Sequence, residues 1–344
     1  MTGSNAAAAD VVVVGAGPVG LFAAFYAGLR GLNVTIVDSL SEPGGQVTAL
    51  YPEKIIRDVA GLPSVRGRDL IDSLLRQVEP FEPVWRLGCT ATTLTETAGG
   101  FTIGCADGRQ IHGRSVVVTG GIGTFTPRPL TGAAEYLDRG VSYFVRNPED
   151  LRGRRVVIVG GGDSAFDWAD TLHDVAAEVT MVHRRERFRA HQDTVDRVRG
   201  RGVRIFVNSH IQGLDGESTV RAALVADTQT GVVSRIDCDH VVAALGFVAN
   251  LGPLARWDLT LQDRKIVVDQ FMRTNRPGLF AAGDICTYPG RVPLIAVGFG
   301  EASTAVNHAA VYLDPGSSAF PGHSTDGHGA QPVGTAAVAA SDVA

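Results

Sequence analysis

Two stretches of this chain set glycines and a polar residue at one fixed distance. Residues 11–38 read VVVVGAGPVGLFAAFYAGLRGLNVTIVD and residues 156–183 read VVIVGGGDSAFDWADTLHDVAAEVTMVH, and the two align without a gap. The first carries G-x-G-x-x-G at Gly15, Gly17 and Gly20, with Pro18 inside it; the second carries G-x-G-x-x-A at Gly160, Gly162 and Ala165, with Asp163 and Ser164 inside it. Such a turn lets backbone approach a pyrophosphate, and the helix that follows offers it free N–H groups and a positive dipole end. One glycine fingerprint is weak evidence, because turns before helices use glycine anyway; two in register, each with its flanking strands, are specific.

The residue 23 positions after the first glycine differs between the copies, being Asp38 in one and His183 in the other. Asp38 can accept both hydroxyls of a ribose that lacks a 2′-phosphate, as in FAD or NAD. At the second tip His183, Arg184 and Arg185, with Arg189 soon after, can grip a 2′-phosphate through charge-assisted hydrogen bonds. The second site is therefore expected to take NADPH. Arg187, next to Glu186, reads as an ordinary solvated charge.

To position these residues each copy must be strand, glycine turn, helix, strand. Runs of β-branched residues form strands buried on both faces of a parallel sheet, so the expected class is α/β with two Rossmann-like dinucleotide-binding domains. The 344 residues, 44% hydrophobic and 19% charged, suffice for both cores. A formal net charge of −5 gives no global attraction to nucleic acid or to an anionic membrane. Residues 11–29 carry no charge and pass a crude length test for a membrane span. Gly15, Gly17, Pro18 and Gly20 interrupt that run where a strand turns into a helix, which favours the soluble reading.

Four cysteines, Cys89, Cys105, Cys238 and Cys286, include no C-x-x-C, which excludes a zinc knuckle and a local dithiol motif. Nine histidines form no tight ligand pattern with carboxylates, so no metal site is expected. A reducing cytoplasm is the default compartment. Residues 1–10 read as a flexible lead-in without the basic start of a signal peptide, and residues 326–344 as a disordered polar tail.

With GGQ at 44–46, HRRERFRA at 183–190 and FAAGDI at 280–285, residues 11–325 resemble the low-molecular-weight thioredoxin reductase-like flavoproteins. That family inserts an NADPH domain into a split FAD domain, which implies FAD-domain parts at 11–125 and 247–325 and an NADPH domain at 126–246. Thioredoxin reductases relay electrons through a C-x-x-C close to the second glycine turn, yet no cysteine lies between Cys105 and Cys238 here. Electrons that reach the flavin must leave it directly. GGQVTALYPEKIIRDVAG at 44–61, GGGDSAFDWA at 160–169, GDICTY at 283–288, GFGEASTAVNHA at 298–309 and PGHST at 321–325 resemble one branch, the thioredoxin reductase-like ferredoxin–NADP reductases.

The resemblance implies hydride transfer between NADPH and flavin N5, then one-electron exchange with a ferredoxin or flavodoxin. It implies Tyr51 and His323 stacked on opposite faces of the isoalloxazine, His323 carried across a homodimer by the C-terminal segment. It places Gln46, Ala91, Phe125, Asp284, Ile285, Thr304 and Thr325 around FAD, although Phe125 by itself reads equally well as a core aromatic. Asp163 and Asp167 either meet the nicotinamide half or act as cap and dipole partners. Arg66, Arg68, Arg152, Arg154 and Arg155 are candidates for meeting an acidic ferredoxin. Two rival functions use the same parts: an NADPH oxidase or diaphorase reducing oxygen or quinones, and a noncatalytic FAD-binding protein, against which the intact second arginine set argues.

Overall fold

The computed structural model describes residues 8–123, 126–248 and 250–322. Four consecutive valines, Val11 to Val14, are between 0% and 6% exposed and form the strand Ala9–Val14. Covered on both faces, it pairs in parallel with Val34–Val37 on one side and Gln110–Val118 on the other. Gly17 in extended conformation and Pro18 at the first helical position then start helix α1, Pro18–Leu29. The uncharged run at 11–29 is thus a buried strand, a turn and a helix. Among the described residues no helix is long and apolar enough to cross a membrane.

The first sheet runs, edge to edge, Val84–Arg86, Val34–Val37, Ala9–Val14, Gln110–Val118, Gly100–Cys105 and Ala91–Thr97. Its seventh strand, Leu279–Ala281, comes from far down the chain and pairs in parallel with Gln110–Val118. Helix α2, Gly45–Leu50, and helix α3, Gly67–Val78, follow the first βαβ unit. Leu70, Ile71, Leu74 and Val78 line the buried face of α3. A second, wholly parallel sheet runs Val141–Ser142, His240–Ala243, Arg155–Val159, Glu178–Val182 and Arg204–Phe206. Helix α4, Asp163–His173, links the repeat strands of that sheet, and helix α5, Gln192–Gly200, leads into its last strand.

An antiparallel three-stranded sheet, Ser209–Asp215, Ala222–Asp227 and Val233–Asp237, packs on the second core. The chain passes between the two halves twice, and the passing segments Thr126–Pro127 and Phe247–Val248 pair with each other. Helix α6, Ile295–Leu313, returns across the first domain and meets α1, with the Phe22 and Phe299 rings 5.0 Å apart. The result is the α/β class expected from the repeat, with two dinucleotide-type sheets.

Cysteine spacing did not reveal one feature of this fold. Cys89 and Cys105 form a disulfide, joining the loop before Ala91–Thr97 to the end of Gly100–Cys105. The hairpin places Ala91 opposite Cys105, so register brings together cysteines 16 residues apart. Cys238 and Cys286 are free and buried, and burial pushes both thiols up to about 12. Replacing Cys89 and Cys105 by serine is expected to cost about 2–4 kcal/mol. Guanidinium midpoints of the variant and of the wild type, with and without dithiothreitol, check this.

His240 gives the second core a pH dependence. Its Nε2 bonds Ser142 Oγ at 2.9 Å while Nδ1 is buried with no partner among the described residues. Burial, aided by Arg154, lowers its pKa from 6.5 to about 4. Between those values the unfolded imidazole is protonated and the folded one is not, so stability falls as pH drops, by up to about 3 kcal/mol. Asp239, held down to about 2 by Arg155, loses its contribution only at lower pH. The guanidinium midpoint is expected to fall between pH 7 and pH 4.5, and less steeply in His240→Gln. Some slope survives in the variant, because burial also lowers His183 and His308.

Candidate functional site

A cavity of about 440 Å³ opens at the carboxyl end of the first parallel strands, where Val14, Val37 and Thr119 reach its wall. Gly15, Gly17 and Pro18 form one side. Gly15 has φ +116°, and a Cβ there would lie 2.6 Å from the Thr119 carbonyl oxygen, so only glycine serves. Gly20 lies beneath that turn rather than in the cavity: a Cβ on it would stand 1.8 Å from Gly15 O. The small residue lets α1 ride close to the strand, which brings its N-terminal N–H groups to the cavity. A second turn, Gly120, Gly121 and Gly123, lines the cavity too, with Gly120 directly beside Gly15.

Asp38 stands at the tip of Val34–Val37, 9% exposed. Its Oδ2 accepts the Ala16 N–H at 2.6 Å and its Oδ1 the Leu40 N–H at 2.8 Å. Burial raises its pKa more than these two donors lower it. Each oxygen keeps a lone pair, and the carboxylate lines the cavity, as two ribose hydroxyls require. Cys89, Thr90 and Ala91 form the adjoining wall, tied to the same spot by the Cys89 N–H on the Asp38 carbonyl at 2.8 Å.

Further along the cavity are Gly45, Gln46, Tyr51, Gly283, Asp284, Leu294 and Ile295. Tyr51 packs against the cores of both halves, with the Lys54 ammonium 5.6 Å from its ring centroid. Burial first, then Asp284 and Asp58, pushes its hydroxyl up to about 12, so it stays neutral. Lys54 Nζ also reaches Asp167 Oδ2 on α4 at 2.7 Å, both side chains 19% exposed. The Asp167 carboxylate thus bridges the two halves.

Behind Asp284 lies a buried charge cluster that the sequence did not disclose. Glu301, 4% exposed on α6, accepts from Gly283 N at 2.7 Å, Tyr288 Oη at 2.9 Å and Arg291 Nε at 2.8 Å. Arg291 Nη2 also reaches Asp284 Oδ1 at 3.3 Å. One buried acid thereby sets both the backbone and, through Arg291, the carboxylate of the Gly-Asp pair at the cavity. Only the spacing of that acid from the Gly-Asp motif was legible in advance, and spacing alone carries no such signal.

The second glycine turn repeats the first. Gly160 N donates to Val182 O at 3.0 Å, as Gly15 N does to Val37 O at 2.8 Å. Gly162 caps α4 in extended conformation, Asp163 and Ser164 occupy its exposed first turn, and Ala165 is buried beneath. Arg184, Arg185 and Arg189 are exposed after the strand Glu178–Val182, while the His183 ring is half-buried. Asp163 Oδ1 is engaged by the His191 N–H at 2.9 Å.

Of the residues read as FAD contacts, Gly15, Gly17, Pro18, Asp38, Gln46, Tyr51, Ala91 and Asp284 meet in the one cavity. Ile285 is buried behind it, near Gly120, and Thr304 sits on α6 bonded to Gly300 O. Phe125, His323 and Thr325 lie outside the described residues. Cys89, Gly120, Gly121, Gly123 and Leu254 line the cavity without having been read as cofactor contacts, because they converge from loops distant in sequence. Among the docking candidates, Arg66 and Arg68 are ion-paired with Glu53, Arg152 with Glu149 and Arg155 with Asp239.

A buried carboxylate at one strand tip and exposed arginines at its counterpart define a protein with two unlike dinucleotide cradles. The pattern of the pyridine nucleotide-disulphide oxidoreductases matches residues 9–309. A ferredoxin–NADP reductase of Salinispora arenicola is 58% identical over 318 residues, 92% of this chain and 98% of that protein. One from Thermus thermophilus is 46% identical over 324 residues, 92% and 96% of the two chains. The crystal structure of T. acidophilum thioredoxin reductase superimposes with a TM-score of 0.80 at 27% identity, covering 90% of this chain and 99% of that one. The chain belongs to the pyridine nucleotide-disulphide oxidoreductase family and, within it, to the thioredoxin reductase-like ferredoxin–NADP reductases. FAD and NADP(H) are the cofactors of this class, and both cradles fit them: Asp38 suits a free ribose and the arginine tip a phosphorylated one.

Glu301→Ala would leave Arg291 buried without its main counter-charge, at an expected cost of about 3–5 kcal/mol. Flavin fluorescence during thermal unfolding should then show FAD release at a lower temperature than in wild type. Glu301→Gln, which keeps an oxygen acceptor, should lie between.

Proposed function

We propose that the chain is an FAD-dependent ferredoxin–NADP reductase. The observation that carries this reading is the opposite chemistry of its two strand tips, a buried Asp38 carboxylate at one and the exposed cations Arg184, Arg185 and Arg189 at the other, in a chain with no C-x-x-C. Bound FAD supplies the conversion between two-electron exchange with NADPH and one-electron exchange with ferredoxin or flavodoxin. The protein supplies position. Asp38 orients the adenosine ribose, the glycine turn and α1 hold the pyrophosphate, and Gln46, Tyr51, Asp284 and Ile295 surround the flavin half. Tyr51 remains a neutral ring throughout the working pH range and serves as a stacking surface, with His323 of a second protomer on the other face.

The FAD domain comprises residues 11–125 and 247–325, and the NADPH domain residues 126–246. The pairing of Thr126–Pro127 with Phe247–Val248, at both junctions, supports these limits. The same pair of strands is the natural hinge, and the contacts of Tyr51 and the Lys54–Asp167 ion pair set what must slide when one domain moves on the other. A homodimer working in the cytoplasm completes the proposal.

Anaerobic stopped-flow absorbance tests it. Flavin bleaching is expected to be fast with NADPH and slow with NADH, and a second mix with oxidised ferredoxin should restore the flavin colour rapidly. Reoxidation by oxygen or quinone alone would leave the two cradles in place and overturn the ferredoxin assignment in favour of an oxidase or diaphorase.

A further inference from the structure

The arginine-bearing segment after the second repeat strand is held in an unusual way. Arg184, Arg185 and Arg189 are exposed, and among the described residues none of the three guanidinium groups is ion-paired. Many other arginines here are paired, including Arg155, Arg197, Arg201 and Arg276. Three neighbouring unpaired cations repel one another and gain nothing for the fold, so something must hold the loop against that repulsion.

Phe188, in the middle of the segment, folds inward. Its ring meets the fully buried Phe166 of α4 edge-on at 4.8 Å and the His183 ring at 5.4 Å. His183 in turn fills the space beside the glycine turn: a Cβ on Gly161 would lie 2.3 Å from its ring. His183 Nε2 lies 3.3 Å from the Arg187 carbonyl oxygen, to which it donates. Burial first, and then the fields of Arg184, Arg185 and Arg189, lower the His183 pKa despite that bond, so the ring is a neutral wedge rather than a fourth cation. Two more ties hold the far end. Arg189 N donates to Gly161 O at 2.8 Å, and His191 N donates to Asp163 Oδ1 at 2.9 Å.

We propose that Phe188 and Asp163 are positioning residues for NADPH selectivity: they anchor the middle and the end of the arginine loop to the glycine turn, presenting Arg184, Arg185 and Arg189 preformed to a 2′-phosphate that neither residue touches. The inference deepens the reading of the second cradle as the NADPH site and rests on it. A preformed loop avoids an ordering cost on binding. That gain is felt only by a ligand that uses the loop, so the effect must be confined to nucleotides with a 2′-phosphate. Asp163, read from the sequence as either meeting the nicotinamide half or capping the helix, thus acts through the loop.

Calorimetric titration of the FAD-loaded protein with 2′,5′-ADP and with 5′-ADP provides the test. Phe188→Ala should bind 2′,5′-ADP about 10- to 100-fold more weakly, with 5′-ADP affinity within about twofold of wild type, and Asp163→Ala should lower the ratio of 2′,5′-ADP to 5′-ADP affinity by a similar factor. Phe188→Leu and Asp163→Asn, which keep an apolar anchor and an oxygen acceptor, should recover most of the loss. In turnover, the KM for NADPH should rise in Phe188→Ala while that for NADH stays put. Equal weakening of both nucleotides would mean a general collapse of the domain and overturn the proposal, as would unchanged binding of 2′,5′-ADP in both alanine variants. Arg184→Ala with Arg185→Ala separates the two levels: if that pair leaves 2′,5′-ADP binding intact, the NADPH reading itself fails, whereas loss there and none at Phe188 or Asp163 sinks only the positioning roles. Should Phe188→Ala not fold, Asp163→Ala and Asp163→Asn still decide.

Discussion

Backbone N–H groups can hold a pyrophosphate only where a helix begins almost in contact with the strand before it. That demand governs both halves of this protein. Gly15 turns the chain against Thr119, and Gly20 lets α1 settle on the turn; Gly160 and Ala165 repeat the device at the start of α4. The strands beneath have to be parallel and buried on both faces, which is why Val11 to Val14 and Val156 to Val159 are unbroken β-branched runs. Once the turns are set, the tips of the neighbouring strands lie where each ribose must go, and one residue per tip decides the ligand.

Charge is then used in opposite ways. At the first tip a carboxylate is buried and kept in place by the N–H groups of Ala16 and Leu40, because a ribose offers donors. At the second, three cations stay in water and, among the described residues, unpaired, because a phosphate offers acceptors and negative charge. The Glu301–Arg291–Asp284 cluster shows a third use. There an acid and a base are both nearly inaccessible, and each satisfies the other while Glu301 also holds the backbone N–H of Gly283. Such a cluster is costly to assemble and more costly to leave half-made, which gives the cofactor wall a stiffness that loops of glycine and alanine lack.

Among the described residues the two halves are joined by an ion pair and a shared ring. Tyr51 belongs to both cores and the neighbouring Lys54 reaches across to Asp167, so the ring expected against the flavin is also part of the seam. The same ring thus ties the cavity to the packing between the halves. In the resemblance-based reading Asp167 was a candidate for the nicotinamide half or for a helix cap. Its carboxylate instead spends its charge on the other domain, a role visible only once the halves are set side by side.

What the sequence determined alone was everything encoded at fixed local spacing: the strand–turn–helix–strand repeat, the two unlike tips, the absence of a C-x-x-C, and with them the α/β class and two dinucleotide sites, one for an unphosphorylated and one for a phosphorylated ribose. Local spacing suffices there because a turn's geometry is dictated by the few residues that make it. Tertiary structure decided what depends on distant segments arriving together. Cys89 meets Cys105 because a hairpin's register sets them opposite. Glu301 meets Gly283 because α6 folds back across the cavity. Phe188 turns inward among four arginines because Phe166 on α4 offers it a buried face. None of these pairings has a characteristic spacing, since the chain between the partners is free to take many lengths and only the packed core selects which side chains touch.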